Sequence, residues 1–287
     1  MVVPPNGVSP LCYNHAWKIQ KTFLDDNHPD IARSYNNLGA VYQKLGEYTN
    51  ALQFYEKALY IREEVFGKKH PIVAQCYNNI GVVYEILTEY NSALESYDKS
   101  LIINQSIYGK NHKSVALNYN NMGVVYRSQG EFKQALKCYD QALNIQKILF
   151  GENHPDVARS FNNIGAVYSD IGEYVKALEY YNKALIINKS IYGENHVSVA
   201  LNHNNIGTVY YKQHDYTKAL ENYSDALKIQ NILLDENHPD VARSYSNLGV
   251  VYYKMFDYDK ALEYHLKALS IRKIVFEKVH PSVAQSY

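Results

Sequence analysis

Seven histidines, His28, His70, His112, His154, His196, His238 and His280, each fall 42 residues after the last, and that interval constrains the fold more than any other feature. Between them run six near copies of one unit, typified by HPDVARSFNNIGAVYSDIGEYVKALEYYNKALIINKSIYGEN from His154 to Asn195. The full units are 28–69, 70–111, 112–153, 154–195, 196–237 and 238–279. Self-similarity at a period of about 20 to 50 residues marks a solenoid, in which each unit buries its apolar face only against its neighbours. No central core is expected, and function must lie on a repeated surface.

Within the unit, Phe161, Ile164, Gly165, Val167 and Tyr168 fall at helical spacing and predict one face of a helix from about Asp156 to Asp170. Ile171-Gly172-Glu173 permits a reversal. A second amphipathic run places Ala177, Leu178, Tyr181, Ala184, Leu185, Ile187 and Ile191 inward, and Gly193 stops it. Small residues recur where the two axes come nearest: Gly39, Gly81, Gly123, Gly165, Gly207 and Gly249 on the first helix, Ala51, Ala93, Ala135, Ala177, Ala219 and Ala261 on the second. Close antiparallel packing follows. Pro29, Pro71, Pro155, Pro239 and Pro281 each follow a register histidine, a position suited to the first helical turn. Asp30, Asp156 and Asp240 then set negative charge near the positive end of the helix dipole.

At the ends the unit is incomplete. Residues 1–10, with three of the eight prolines, predict a disordered lead-in. Residues 11–27 align with a second helix alone, and 280–287 begin a further first helix, so a fragment of a longer protein is expected. Twenty-nine basic against 29 acidic residues leave no net charge, which disfavours nucleic acid and anionic lipid as partners. No run of 18 apolar residues and no signal peptide is present in the sequence. Three cysteines, Cys12, Cys76 and Cys138, argue against a disulfide framework or zinc motif, and a cytoplasmic location is expected.

The order Tyr35, Leu38-Gly39, Tyr42, Ala51, Tyr55, Ala58, repeated six times, resembles the tetratricopeptide pattern. That repeat is about 34 residues long, so each unit here carries roughly eight more. The longer form, with HPDVA openings and an Asn-Asn pair before Leu-Gly, resembles the repeats of kinesin light chains and nephrocystin-like proteins. His203 in place of the aromatic and Ser246 in place of an asparagine depart from it. The resemblance implies an all-α, TPR-like α-solenoid: a right-handed superhelix of antiparallel helix pairs, with six full repeats and partial repeats at both ends. It also implies that the first helices line a concave groove. Kinesin light chains carry a heptad segment that binds the motor heavy chain, and these residues contain none.

Neighbouring register histidines stand a repeat apart, on the order of 10 Å, too far for ligands that must all lie about 2 Å from one zinc ion. Helix capping is their expected role, and no metal or cofactor is expected. A catalytic set would need residues unique among the copies, and none is present, so a non-enzymatic chain is expected. Most of the 29 tyrosines stand at core aromatic positions, with no basic groove beside them for nucleic acid stacking.

The asparagines are different. On a helical wheel Tyr35, Leu38, Val41 and Tyr42 face one way, while Arg33, Asn36, Asn37, Ala40 and Lys44 face away from the core. Asparagine is a poor interior helix residue, yet the pair recurs as Asn36 and Asn37, Asn78 and Asn79, Asn120 and Asn121, Asn162 and Asn163, and Asn204 and Asn205, with Asn247 alone in the last copy. Two readings stand: an amide ladder between repeats, or a ligand-facing row whose amides serve the backbone of an extended peptide. Specificity would come from positions that vary on the same face. One such row is Arg33, Gln75, Leu117, Arg159, Leu201 and Arg243, and another is Lys44, Ile86, Ser128, Asp170, Lys212 and Lys254. Arg33, Arg159 and Arg243 would suit an acidic partner.

The expected function is therefore a protein interaction scaffold that binds an extended peptide. The alternatives are the repeat region of a larger enzyme or signalling protein, and a kinesin light chain-like cargo adaptor associated with the cytoskeleton. Self-association through apolar surface near Leu262, Leu266 and Leu269 is also expected.

Overall fold

The computed structural model describes residues 23–275 apart from position 26. The lead-in, most of the partial repeat at 11–27, and the start of a further repeat at 280–287 lie outside the described residues. The chain divides into two compact units, Met1–Leu149 and Phe150–Tyr287. All regular structure among the described residues is helical. The first unit holds α1 Pro29–Lys44, α2 Tyr48–Phe66, α3 Pro71–Ile86, α4 Tyr90–Tyr108, α5 Lys113–Ser128 and α6 Phe132–Phe150, which ends as the second unit begins. The second holds α7 Pro155–Asp170, α8 Tyr174–Tyr192, α9 Val197–Lys212, α10 Tyr216–Leu233, α11 Pro239–Lys254 and α12 Tyr258–Val275.

Each first helix starts on a register histidine in extended conformation, whose ring Nδ1 accepts the backbone N–H two residues on. The distances run from 3.1 Å at His154 and His238 to 3.3 Å at His70. This satisfies one orphan donor of the helix start, the service usually given by Ser, Asp or Asn. The imidazole is also held by a ring: Phe66 stacks on His70, Tyr108 on His112, Phe150 on His154 and Tyr192 on His196, with centroids 3.9–4.8 Å apart. One lone pair thus goes to the backbone and one ring face to the preceding helix, which gives these histidines a structural role.

The glycine that recurs in the first helix of every repeat answers to an aromatic ring more than to the facing alanine. A Cβ on Gly39, Gly81, Gly123 or Gly207 would stand 2.6–2.9 Å from ring carbons of Tyr55, Tyr97, Tyr139 or Tyr223. Alanine enters this contact only at Gly165, where the Ala177 carbonyl comes third after the Tyr181 ring. These tyrosines, with Tyr181, are buried core residues of the first five pairs. Tyr97 and Tyr139 are fully buried, and Tyr97 donates its hydroxyl hydrogen to Glu85 Oε2 at 2.9 Å.

In the last pair a histidine, His265, occupies the tyrosine position over Gly249. Burial, with Arg272 adding to it, holds its imidazole below the ordinary histidine range. A pKa lowered by folding means that the unfolded chain binds the proton more readily. His265 therefore contributes stability that is present above about pH 6.5 and is lost as pH falls through that value toward the folded pKa. His265→Tyr, which restores the residue of the other repeats, should narrow the difference in melting temperature between pH 7.5 and pH 5; an unchanged difference would refute this assignment.

The reversal between paired helices has a residue at positive φ: Gly46, Thr88, Gly130, Gly172, His214 and Phe256, again 42 apart. Three of these carry side chains in a region that costs a non-glycine residue about 1–2 kcal/mol, and Thr88, at φ 61°, is β-branched. Thr88→Gly should therefore stabilise the first unit by about 1 kcal/mol in urea unfolding, after the entropy that glycine adds to the unfolded chain. Loss of stability would show that Thr88 makes a compensating contact.

One inward and one outward assignment from the sequence change. Ile191 is 37% exposed, because it lies in the last turn of α8, past the core stripe that ends near Ile187. Leu269 is buried, while Leu262 and Leu266 are exposed as expected. Leu269 follows His265 by one turn on the core stripe, which the other two flank.

Candidate functional site

The asparagine pairs lie on the exposed side of the first helices, but the neighbouring repeat covers them more than a single helical wheel foresees. Asn36, Asn37, Asn78, Asn79, Asn121, Asn162, Asn163, Asn205 and Asn247 are half-buried, while Asn120 and Asn204 are buried. In the first unit a ladder forms: Asn79 Nδ2 donates to Asn36 Oδ1 at 3.1 Å, and Asn121 Nδ2 to Asn78 Oδ1 at 2.9 Å. Asn120 Nδ2 donates to the Ala116 carbonyl, one turn back. In the second unit Asn162 Oδ1 accepts from Asn202 Nδ2 at 2.7 Å. The amides are thus partly structural, and the half-buried ones keep edges open to the surface.

The three arginines stand exposed, each in an ion pair with its own helix: Arg33 with Asp30 at 2.9 Å, Arg159 with Asp156 at 2.6 Å and Arg243 with Asp240 at 3.0 Å. Exposed pairs of this kind are worth about 0–1 kcal/mol, so an acidic ligand would compete for each arginine at small cost. Lys212 is engaged by Asp170 and by Ser169. Lys254 is exposed and makes no ion pair among the described residues.

A second polar column escaped the sequence reading. Near the ends of α2, α4, α8 and α10 a buried polar side chain meets one from the next first helix, 14 residues on. Arg62 Nη1 donates to Cys76 Sγ at 3.0 Å and to Asn36 Oδ1 at 3.4 Å. Asn104 Nδ2 donates to Asn118 Oδ1 at 2.9 Å, Asn188 Nδ2 to Asn202 Oδ1 at 2.7 Å, and Ser244 Oγ to Gln230 Oε1 at 2.7 Å. Burial pushes the Cys76 thiol up despite the guanidinium, and the Cys138 thiol to about 11, so neither offers a ready thiolate.

Two cavities open on the first-helix face. One of about 340 Å³ in the first unit is lined by Gln75, Asn78, Asn79, Asn104, Leu117 and Asn118 among others. The other, of about 200 Å³ in the second unit, is lined by Val197, Leu201, Gln230, Leu234, Asp240 and Arg243 among others. Among the described residues no group of three or more His, Cys, Asp or Glu is placed to hold a metal ion, and no helix is long and apolar enough to cross a membrane.

The helix pairs, the ring over glycine and the 42-residue register coincide with matches to the tetratricopeptide repeat family model over residues 30–103, 79–147, 114–190, 156–231 and 196–274. The chain is a tetratricopeptide repeat protein. No curated protein sequence matches it. Among solved structures it is similar to BtubC (BKLC) from P. vanneervenii, at 22% identity and TM-score 0.64, over 84% of this chain and 94% of that one. It is similar to a Podosopora anserina protein described as a kinesin light chain with nearly identical TPR-like repeats, at 20% identity and TM-score 0.61, over 71% and 96%. The apo form of RapI gives 17% identity and TM-score 0.69 over 92% and 90%. At these identities the likeness establishes the fold, of the type found in kinesin light chain-like repeat proteins.

Proposed function

We propose that this tetratricopeptide repeat protein is a non-enzymatic interaction scaffold, working in the cytoplasm, whose first-helix face binds an extended segment of a protein partner. One observation carries the reading: that face bears a periodic row of half-buried amides beside cavities of side-chain size. An amide offers both donor and acceptor, which matches the repeating N–H and C=O of an extended main chain whatever its sequence. Residues that differ between copies, Leu117 and Leu201 against Arg33, Arg159 and Arg243, would then select side chains, with acidic ones favoured by the arginines.

The test begins with selection of a displayed 12-residue peptide library on the purified chain, followed by titration of one synthetic binder. Replacing the second asparagine of all six repeats, Asn37, Asn79, Asn121, Asn163, Asn205 and Asn247, by alanine should weaken binding by at least about fivefold while the chain stays helical, since alanine is the better helix former. A fully helical variant that binds with wild-type affinity would remove this face as the binding surface.

A further inference from the structure

The two asparagine ladders do not close alike. In the first unit the second amide of one repeat donates to the first amide of the preceding one, at Asn79 to Asn36 and Asn121 to Asn78. In the second unit these rungs are missing: Asn162 Oδ1, which Asn205 would use, is taken by Asn202 Nδ2 at 2.7 Å, while Asn204 Oδ1, which Asn247 would use, lies 3.5 Å from Ser244 Oγ, whose one hydrogen goes to Gln230 Oε1 at 2.7 Å. Asn205 and Asn247, both half-buried, make no side-chain hydrogen bond among the described residues. Next to them in sequence, Asn204 Nδ2 and Ser246 Oγ are buried without any partner, and Asn204 is only 5% exposed. Buried polar atoms left unpaired are rare in folded proteins, and each calls for an explanation.

We propose that the bound peptide lies on α9 and α11, with main-chain groups hydrogen-bonded to the amides of Asn205 and Asn247. This rests on the function proposed above and names where on the face it is carried out. The two residues hold equivalent positions one repeat apart, so at about 10 Å per repeat and 3.3 Å per extended residue they meet main-chain groups about three residues apart. The adjoining cavity, walled by Val197, Leu201 and Leu234, takes an aliphatic side chain of the peptide. Arg243 borders it but is held by Asp240, whereas Lys254, unpaired on the same face of α11, takes a carboxylate. The ligand is thus an extended peptide with an aliphatic and an acidic residue. The cavity of about 340 Å³ in the first unit is the weaker choice: Asn78, Asn79, Asn104 and Asn118 there are already bonded to other side chains, so a peptide would exchange hydrogen bonds instead of gaining them.

The experiment uses the fluorescein-labelled 12-residue peptide recovered from the display selection, titrated against three proteins. N205A/N247A should weaken binding by about five- to hundredfold, the loss of two hydrogen bonds, without lowering the melting temperature. N79A/N121A should melt earlier and bind as wild type, because those amides serve the ladder. Unchanged affinity in N205A/N247A, or equal or greater weakening in N79A/N121A, overturns the placement while leaving the scaffold function standing. A photoreactive residue at the centre of the same peptide should label tryptic peptides from α9 or α11 of the wild-type chain, and labels confined to residues 29–128 overturn the placement independently of any variant. A selection that retains no peptide removes the function and the placement together.

Discussion

Asn202→Leu is expected to destabilise the second unit by about 2–4 kcal/mol, among the largest effects of any single change in this chain. Asn202 is fully buried and bridges two helices, accepting from Asn188 Nδ2 at 2.7 Å and donating to Asn162 Oδ1 at 2.7 Å. Leucine has much the same branched shape, so little cavity forms. The cost is the Asn188 amide left buried with its donor unpaired, and the Asn162 oxygen deprived of its donor, at about 1–3 kcal/mol for each group that water cannot reach. Asn188→Leu together with Asn202→Leu should recover most of the loss, because removing both partners leaves little to satisfy. Urea unfolding followed by circular dichroism reads both; a single variant as stable as wild type would mean that Asn188 re-pairs or hydrates freely.

Gly81→Ala is expected to cost about 1–3 kcal/mol, although alanine normally improves a helix. The added Cβ would stand 2.6 Å from Cε1 and 2.7 Å from Cδ1 of Tyr97, a fully buried ring tied to Glu85 through its hydroxyl. The ring cannot swing aside without breaking that bond and opening a gap. Tyr97→Ala alone should cost about 3–5 kcal/mol, as deletions of large buried aromatics do. In that background the methyl at position 81 meets no ring, so the double variant should be about 1–3 kcal/mol more stable than additivity gives. Strict additivity would separate the glycine from the ring and leave the facing helix backbone as its reason.

Much of this was legible from periodicity. The first helix expected from about Asp156 runs from Pro155 to Asp170, and the His-Pro starts, the Gly172 reversal and the Gly193 stop stand as read. The polar column of Arg62, Asn104, Asn188 and Gln230 was not read, because a single asparagine in an apolar stripe looks like a residue at its edge. Stacking the repeats by their period would have revealed it, since the polar type recurs where leucine or isoleucine would serve a simple core. The asparagine pairs show another limit. A helical wheel knows one helix, and what half-buries Asn79 is the repeat before it. Which ladders close was beyond sequence, because it turns on whether Asn202 or Asn205 reaches the Asn162 oxygen first.

Near-identical copies in one chain carry a hazard of their own: during folding a helix can dock on the right kind of surface in the wrong copy. Apolar packing barely tells copies apart, since every pair offers the same alanine opposite the glycine and all but the last the same tyrosine. The buried couples do. Arg62 meets Cys76 where Asn104 meets Asn118, and Asn188 meets Asn202 where Gln230 meets Ser244. A docking slipped by one repeat keeps its apolar contact but sets a guanidinium or a longer amide against a partner of the wrong reach, leaving buried donors empty. Adjacent junctions are therefore cut as different keys, and a state slipped by one repeat is the one that comes apart.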